Sequence, residues 1–96
     1  MAEYIFLMHD DAVDDASDWE PYLRRLRQGG FLQGGSAIGA GVCLRKRGAP
    51  ASLTRHLAGF IRVDSESLQQ AKSLLVGNPV FAAGGTVEIR ALPRTD

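Results

Sequence analysis

The chain has 96 residues with a formal net charge of zero; 45% of them are hydrophobic and 23% are charged. This length predicts a single domain over residues 1–96, because two domains would each have too small a core. The composition excludes a disordered or fibrous chain, and no apolar run approaches the ~20 residues that span a bilayer. The first residues also lack a signal-peptide pattern, so we expect a cytoplasmic protein with no membrane partner.

Charged residues are segregated along the chain. Residues 1–20 hold seven acids and no base, whereas residues 21–62 hold eight bases and no acid. This division could steer an anionic ligand toward the basic part of the chain. Nucleic-acid-binding domains, however, carry a clear basic excess together with aromatic or groove-reading elements. We therefore expect no nucleic-acid partner.

The first predicted element is a strand over residues 4–9, which is apolar on both alternating faces and needs cover on each side. Such a strand belongs in the middle of a sheet. A helix follows, with an apolar stripe at helical spacing: Trp19, Tyr22, Leu23 and Leu26. Ser17 and Glu20 predict a capping box at its start, and Gly29 with Gly30 predicts its end.

The middle of the chain gives weaker patterns. Short apolar pieces interrupted by glycines over residues 31–47 predict a loose hairpin with a bend or bulge. Residues 48–54 are expected to form a loop, and residues 57–63 a strand. Whether residues 31–56 contain two regular strands stays open at this point.

The last part of the chain predicts a helix and a strand. Residues 64–67 are rich in acids and hydroxyls, which is typical of a helix entry, and Gly77 ends the helix. Its apolar stripe is Leu68, Ala71, Leu74 and Leu75. The dipeptides Asn78-Pro79 and Gly84-Gly85 predict turns, and residues 86–92 alternate as a final strand.

The order strand, helix, two strands, helix, strand predicts an α+β domain of the ferredoxin-like βαββαβ type with an antiparallel sheet. In this arrangement the helices cover one face of the sheet. The first strand and Phe60 would leave the other face apolar, which an antiparallel sheet exposed to water does not favour. We therefore expect a homodimer that pairs through these sheet faces, since most soluble oligomers are two-fold homodimers.

A family resemblance rests on the order of several short segments: residues 4–8, 29–30, 59–64, 65–71 and 87–90. Together they resemble the YCII-related family, and within it the branch that carries an Asp-Gly-Pro-Phe segment. The resemblance covers nearly the whole chain. It implies a dimeric α+β barrel with a small cleft in each subunit, bordered by the end of the first strand and the first helix.

The chain departs from this family where the family's chemistry would lie. Residues 48–56 replace the Asp-Gly-Pro-Phe segment and its following acids. In the YCII branch proper, a His on the first helix and an Asp before a Pro look like an acid–base dyad, and the matching positions here are Trp19 and Asn78. Neither side chain transfers a proton in that way. The resemblance therefore implies that the relatives' chemistry is lost or has moved.

His9 and His56 are the candidate acid–base residues. An imidazole oriented by a carboxylate such as Asp10 acts as a general base near neutral pH. Neighbours in an extended strand point to opposite sides, so a capping or solvated His9 is the alternative. His56 would join His9 only if its loop folds over the cleft, and otherwise lies on the surface.

The candidate ligand-binding residues are His9, Trp19, Tyr22, His56, Asn78 and Arg90. Core packing is the alternative for both aromatic residues, and an ion pair with Glu88 is the alternative for Arg90. The acids of residues 10–15 lack the spacing of a calcium loop, and the glycines form no phosphate-binding loop. We expect no metal and no cofactor.

These observations favour a dimeric binding module that holds a small organic molecule, neutral or anionic, without catalysing a reaction. One alternative is a metal-independent enzyme of the same fold that uses His9 or His56 as general acid or base. Another is a non-catalytic protein-interaction subunit, which a cleft filled by Trp19 and Tyr22 would favour. The residues do not identify the ligand.

Overall fold

The computed structural model describes residues 1–15 and 18–93, which contain four strands and three helices. The strands are β1 (Ala2–His9), β2 (Leu32–Ala37), β3 (Leu57–Ser65) and β4 (Val87–Leu92). The helices are α1 (Trp19–Gln28), α2 (Leu68–Ser73) and α3 (Pro79–Ala82). The strands form one open antiparallel sheet in the order β2-β3-β1-β4. This order confirms the central position that was predicted for β1.

Alternation along β1 and β3 divides the sheet into a helix face and an open face. On the helix face, Phe6 pairs with Ile61 and Tyr4 pairs with Val63. Phe6 and Val63 are completely buried, and they pack in one cluster with side chains from the helices: Tyr22, Leu26 and Ala71. The apolar stripe predicted for the first helix therefore supplies much of the core.

The open face carries the other residues of the same strands. Leu7 pairs with Phe60 on β3 and with Glu88 on β4, and Ile5 lies on the same side of β1. These apolar side chains are half-buried. The sheet is thus apolar on both faces at its centre, as the sequence of β1 predicts.

Helix α1 begins and ends close to its predicted bounds. Its N-cap is Asp18, whose carboxylate accepts a hydrogen bond from the Glu20 amide at 3.2 Å. Ser17, the predicted cap, lies outside the described residues. At the other end Gly30 adopts a φ of 78°, a left-handed conformation that glycine allows without steric cost.

The hairpin predicted over residues 31–47 is wrong, because only Leu32–Ala37 forms a strand there. A register shift between Leu32 and Gly34 provides the predicted bulge. Residues 38–56 then connect β2 to β3 without a helix or strand. Val42 and Leu44 in this connection are 80% and 89% exposed. Their side chains therefore pack on no described neighbour that would hold them in a sheet.

The region after β3 also differs from the prediction. Helix α2 ends at Ser73, and turns continue to Gly77, which has a φ of 85°. The Asn78-Pro79 dipeptide begins helix α3 and does not form a simple turn. Asn78 caps α3, with its side-chain oxygen accepting from the amides of Val80 at 3.0 Å and Phe81 at 3.1 Å. No helix in the described part of the chain is long and apolar enough to cross a membrane.

Candidate functional site

An apolar cleft of about 690 Å³ lies on the helix face, between α1 and the edge of the sheet formed by β2 and β3. Trp19 and Leu23 line it from α1, and Val80 lines it from α3. Met8, at the end of β1, and Ile61, on β3, complete the apolar surface. This volume falls within the ~300–1,000 Å³ that is typical of small-molecule sites.

The floor of the cleft is made by residues with little or no side chain. Gly35 pairs with Ile61, and Ala37 pairs with Gly59, which itself lies opposite Met8 on β1. A Cβ atom at Gly35 would lie 2.5 Å from the carbonyl oxygen of Phe60, so the close approach of β2 to β3 requires glycine there. These small residues add little side-chain volume above the strands, so the cleft stays open.

Among the described residues that line the cleft, Arg27 is the only charged one. Its guanidinium lies 3.6 Å from a carboxylate oxygen of Glu20, and Arg24 lies 3.8 Å from the same oxygen. The arginine between them in sequence is engaged elsewhere, because Arg25 donates to the Val76 carbonyl and lies over the Tyr22 ring. One carboxylate is therefore shared by two guanidinium groups at the side of the cleft.

The two histidines come together on the other side of the sheet. Nε2 of His9 lies 3.1 Å from a carboxylate oxygen of Glu88, and the His56 ring lies 4.7 Å from the His9 ring, edge to face. The Asp10 amide donates to the His56 carbonyl at 2.9 Å, which holds the connection against the end of β1. Glu88, and not Asp10, is thus the carboxylate that orients His9.

Two carboxylates near His9, those of Glu88 and Asp11, have lowered pKa values. Arg90 donates to Glu88 at 3.1 Å, as the sequence predicts, and this contact followed by that of His9 lowers the pKa of Glu88. The Asp11 carboxylate accepts from the Thr86 amide at 2.7 Å and from its hydroxyl at 2.6 Å. These bonds lower the pKa of Asp11, and they tie the turn after β1 to the start of β4.

Tyr22 and Asn78 lie in the core. The Tyr22 hydroxyl donates to the Leu74 carbonyl at 2.7 Å, and burial raises its pKa, opposed by the Asn78 side chain and by the charge of Arg25. Asn78 is completely buried, and its Nδ2 atom makes no hydrogen bond of acceptable geometry within the described chain. Neither residue is among those that line the cleft.

The predicted site residues therefore occupy three places. His9, His56 and Arg90 lie together at the open face, Trp19 lines the cleft, and the remaining two are in the core. Sequence reasoning missed Arg27 and Glu88. Arg27 lies off the apolar stripe of α1, and Glu88 meets His9 only through the pairing of β4 with β1.

The described residues contain no group of three or more His, Cys, Asp or Glu side chains that could hold a metal ion. Comparison of the chain with protein-family models, with curated proteins and with solved structures finds no match. The resemblance to the YCII-related family therefore rests on the residues that carry it. The function is argued below from the geometry of the cleft and of the histidine pair.

Proposed function

We propose that the protein is a homodimeric binding module of ferredoxin-like fold, similar to the YCII-related proteins, which holds a small organic molecule without catalysing a reaction. The strand order β2-β3-β1-β4, with antiparallel neighbours throughout, supports this fold. The cleft also lies where the resemblance implies one, beside Met8 at the end of β1 and Trp19 at the start of α1.

The observation that carries the proposal is the lining of the cleft. It combines apolar side chains with Gln33, Ser36 and one guanidinium, and the described lining residues include no carboxylate, imidazole or thiol that could transfer a proton near neutral pH. His9 and His56 lie on the opposite face of the sheet, so the sheet separates them from a molecule in the cleft. Binding without acid–base chemistry is the activity that this lining supports.

Binding can be tested with N-phenyl-1-naphthylamine, a neutral probe whose fluorescence rises in apolar surroundings. Trp19 is the single tryptophan, so energy transfer from it reports a probe bound nearby. We expect saturable binding to the wild-type protein. In Ala37→Phe the affinity for the probe should fall at least about tenfold, because the larger side chain would fill space above the floor of the cleft and displace apolar surface of the probe, an effect on the order of one buried side chain.

A matched control is Ala91→Phe, which makes the same substitution at another exposed alanine of an edge strand, outside the cleft. This control should bind like the wild-type protein. Equal binding by wild-type protein and Ala37→Phe would reject the cleft as the site, and absence of saturable binding to the wild-type protein would reject the proposed function.

A second candidate function is favoured by the histidine pair. Nε2 of His9 is 3.1 Å from Glu88 and the His56 ring is adjacent, which is an arrangement suited to general acid–base catalysis at the open face. The interaction-subunit hypothesis would be favoured by a cleft filled by Trp19 and Tyr22. The open cleft and the place of Tyr22 in the core do not support it.

A further inference from the structure

We infer that the ligand of the cleft is a planar organic carboxylate whose acid group is bound by Arg27. This inference rests on the proposed function, because it names the class of molecule that the proposed cleft would hold. It adds a specificity-determining residue that the sequence did not indicate.

The shape of the cleft favours a flat, apolar body. Its floor is the strand surface around Gly35 and Gly59, where Ala37 adds only a methyl group and the Ile61 side chain lies beside Gly35. Trp19 adds aromatic surface from α1. A planar ring system can lie against such a bare floor and contact an indole at the same time, whereas a bulky branched molecule would make fewer contacts.

The charge of the cleft favours one acid group on that body. Arg27 is the only charged residue of the described lining, and its side chain is 56% exposed. Its contact with Glu20 is 3.6 Å long and is shared with Arg24, which is longer than the ~2.8 Å of a charge-assisted hydrogen bond. The guanidinium makes no hydrogen bond within the described chain. It therefore retains the donors that a carboxylate engages side by side.

A single guanidinium suits a monoanion. The other arginines of α1 do not add to it, because Arg25 is held by the Val76 carbonyl and Arg24 lies outside the cleft. A carboxylate at the side of the cleft, with its apolar body over the floor, satisfies both the charge and the apolar surface.

The test compares 2-naphthoate with 2-naphthamide, which have nearly the same shape and differ in charge. Each competes with N-phenyl-1-naphthylamine on the wild-type protein. We expect naphthoate to displace the probe at about a tenfold lower concentration than naphthamide, the effect of one charge-assisted hydrogen bond. This preference should disappear in Arg27→Gln and largely return in Arg27→Lys. The preference is the ratio of the two displacing concentrations on the same protein, so a change in the affinity of the probe itself cancels.

The matched control is Arg24→Gln, which removes the other partner of Glu20 on the same exposed helix surface. It should retain the preference for naphthoate. If Arg24→Gln and Arg27→Gln lose the preference for naphthoate equally, the preference comes from the summed positive charge of α1 and the inference is overturned. A preference that survives Arg27→Gln would overturn it as well. If the probe binds in the cleft and naphthoate has no advantage, the inference fails while the proposed function stands.

Discussion

The carboxylate of Glu88 contacts two side chains, His9 at 3.1 Å and Arg90 at 3.1 Å. Because a carboxylate only accepts hydrogen bonds, Nε2 of His9 carries the proton in this contact and Nδ1 is the free ring nitrogen. The ring is thereby fixed in one orientation beside His56. At the scale of single residues, this is the arrangement in the molecule that is closest to a general base.

We predict that this pair hydrolyses p-nitrophenyl acetate, if the second candidate function holds. The rate should rise with pH, because only the neutral form of an imidazole accepts a proton from the attacking water. A protein with both His9→Asn and His56→Asn should lose at least about tenfold, since general acid–base catalysis contributes ~10²–10⁴-fold. Glu88→Gln should give a smaller loss. The measurement is the pH–rate profile of each purified protein.

Arg55→Gln is the control, because it removes a neighbouring charge and leaves both imidazoles. It should keep the wild-type profile. A double histidine variant as active as the wild-type protein would exclude catalysis by this pair.

Helix α3 shows how one residue determines an element. A helix of four residues cannot be stable by itself, and it forms here because Asn78 caps two of its amides while Pro79 occupies its first position. The cap is completely buried. It also fixes the position of Val80 on the wall of the cleft.

We predict that Asn78→Ala lowers the free energy of unfolding by about 1–3 kcal/mol, since it removes a cap and leaves the part-buried amides of Val80 and Phe81 without that partner. The measurement is urea denaturation followed by circular dichroism. Asn78→Ser keeps a side-chain oxygen and should recover part of the loss. Ser67→Ala, at the exposed cap of α2, should cost less. An unchanged denaturation midpoint in Asn78→Ala would contradict the role given to the cap.

The elements that the sequence predicts well are those whose own residues carry the pattern. The alternation of apolar residues in β1 and the apolar stripe of α1 are enough to predict which faces of these elements are buried. Asn78-Pro79 is compatible with either a turn or a helix start, and the contacts of α3 decide between them. The cleft depends on the register between β2 and β3, because Gly35 and Gly59 come to lie on the same part of the sheet only when these strands pair. Such contacts between distant residues leave no local signal.

At the scale of the whole molecule, the open face presents half-buried apolar side chains between charged pairs. Leu7 lies beside Phe60 at the centre, and the Arg62–Glu3 and Arg90–Glu88 pairs lie to either side. An apolar centre with a polar rim is the usual composition of a protein interface. This arrangement supports the proposed pairing of two copies through their open faces.

We predict that the protein sediments with the mass of two 10.4 kDa chains at micromolar concentration. Leu7→Glu should shift it to a single chain, because the new carboxylate would lie in the apolar centre and next to Glu88. Leu68→Glu, at an exposed site on α2, is the control and should leave the mass unchanged. A monomeric wild-type protein would exclude the dimer.

The strand order has a consequence for how the chain acquires its structure. Strands β1 and β2 come from the first half of the chain and β3 and β4 from the second, and in the order β2-β3-β1-β4 every neighbouring pair joins one half to the other. Neither half can form a sheet by itself. During synthesis no strand pair can form before Leu57 and the residues after it are available. The fold therefore has a high contact order, and we expect a single cooperative folding transition in which the two halves form the sheet together.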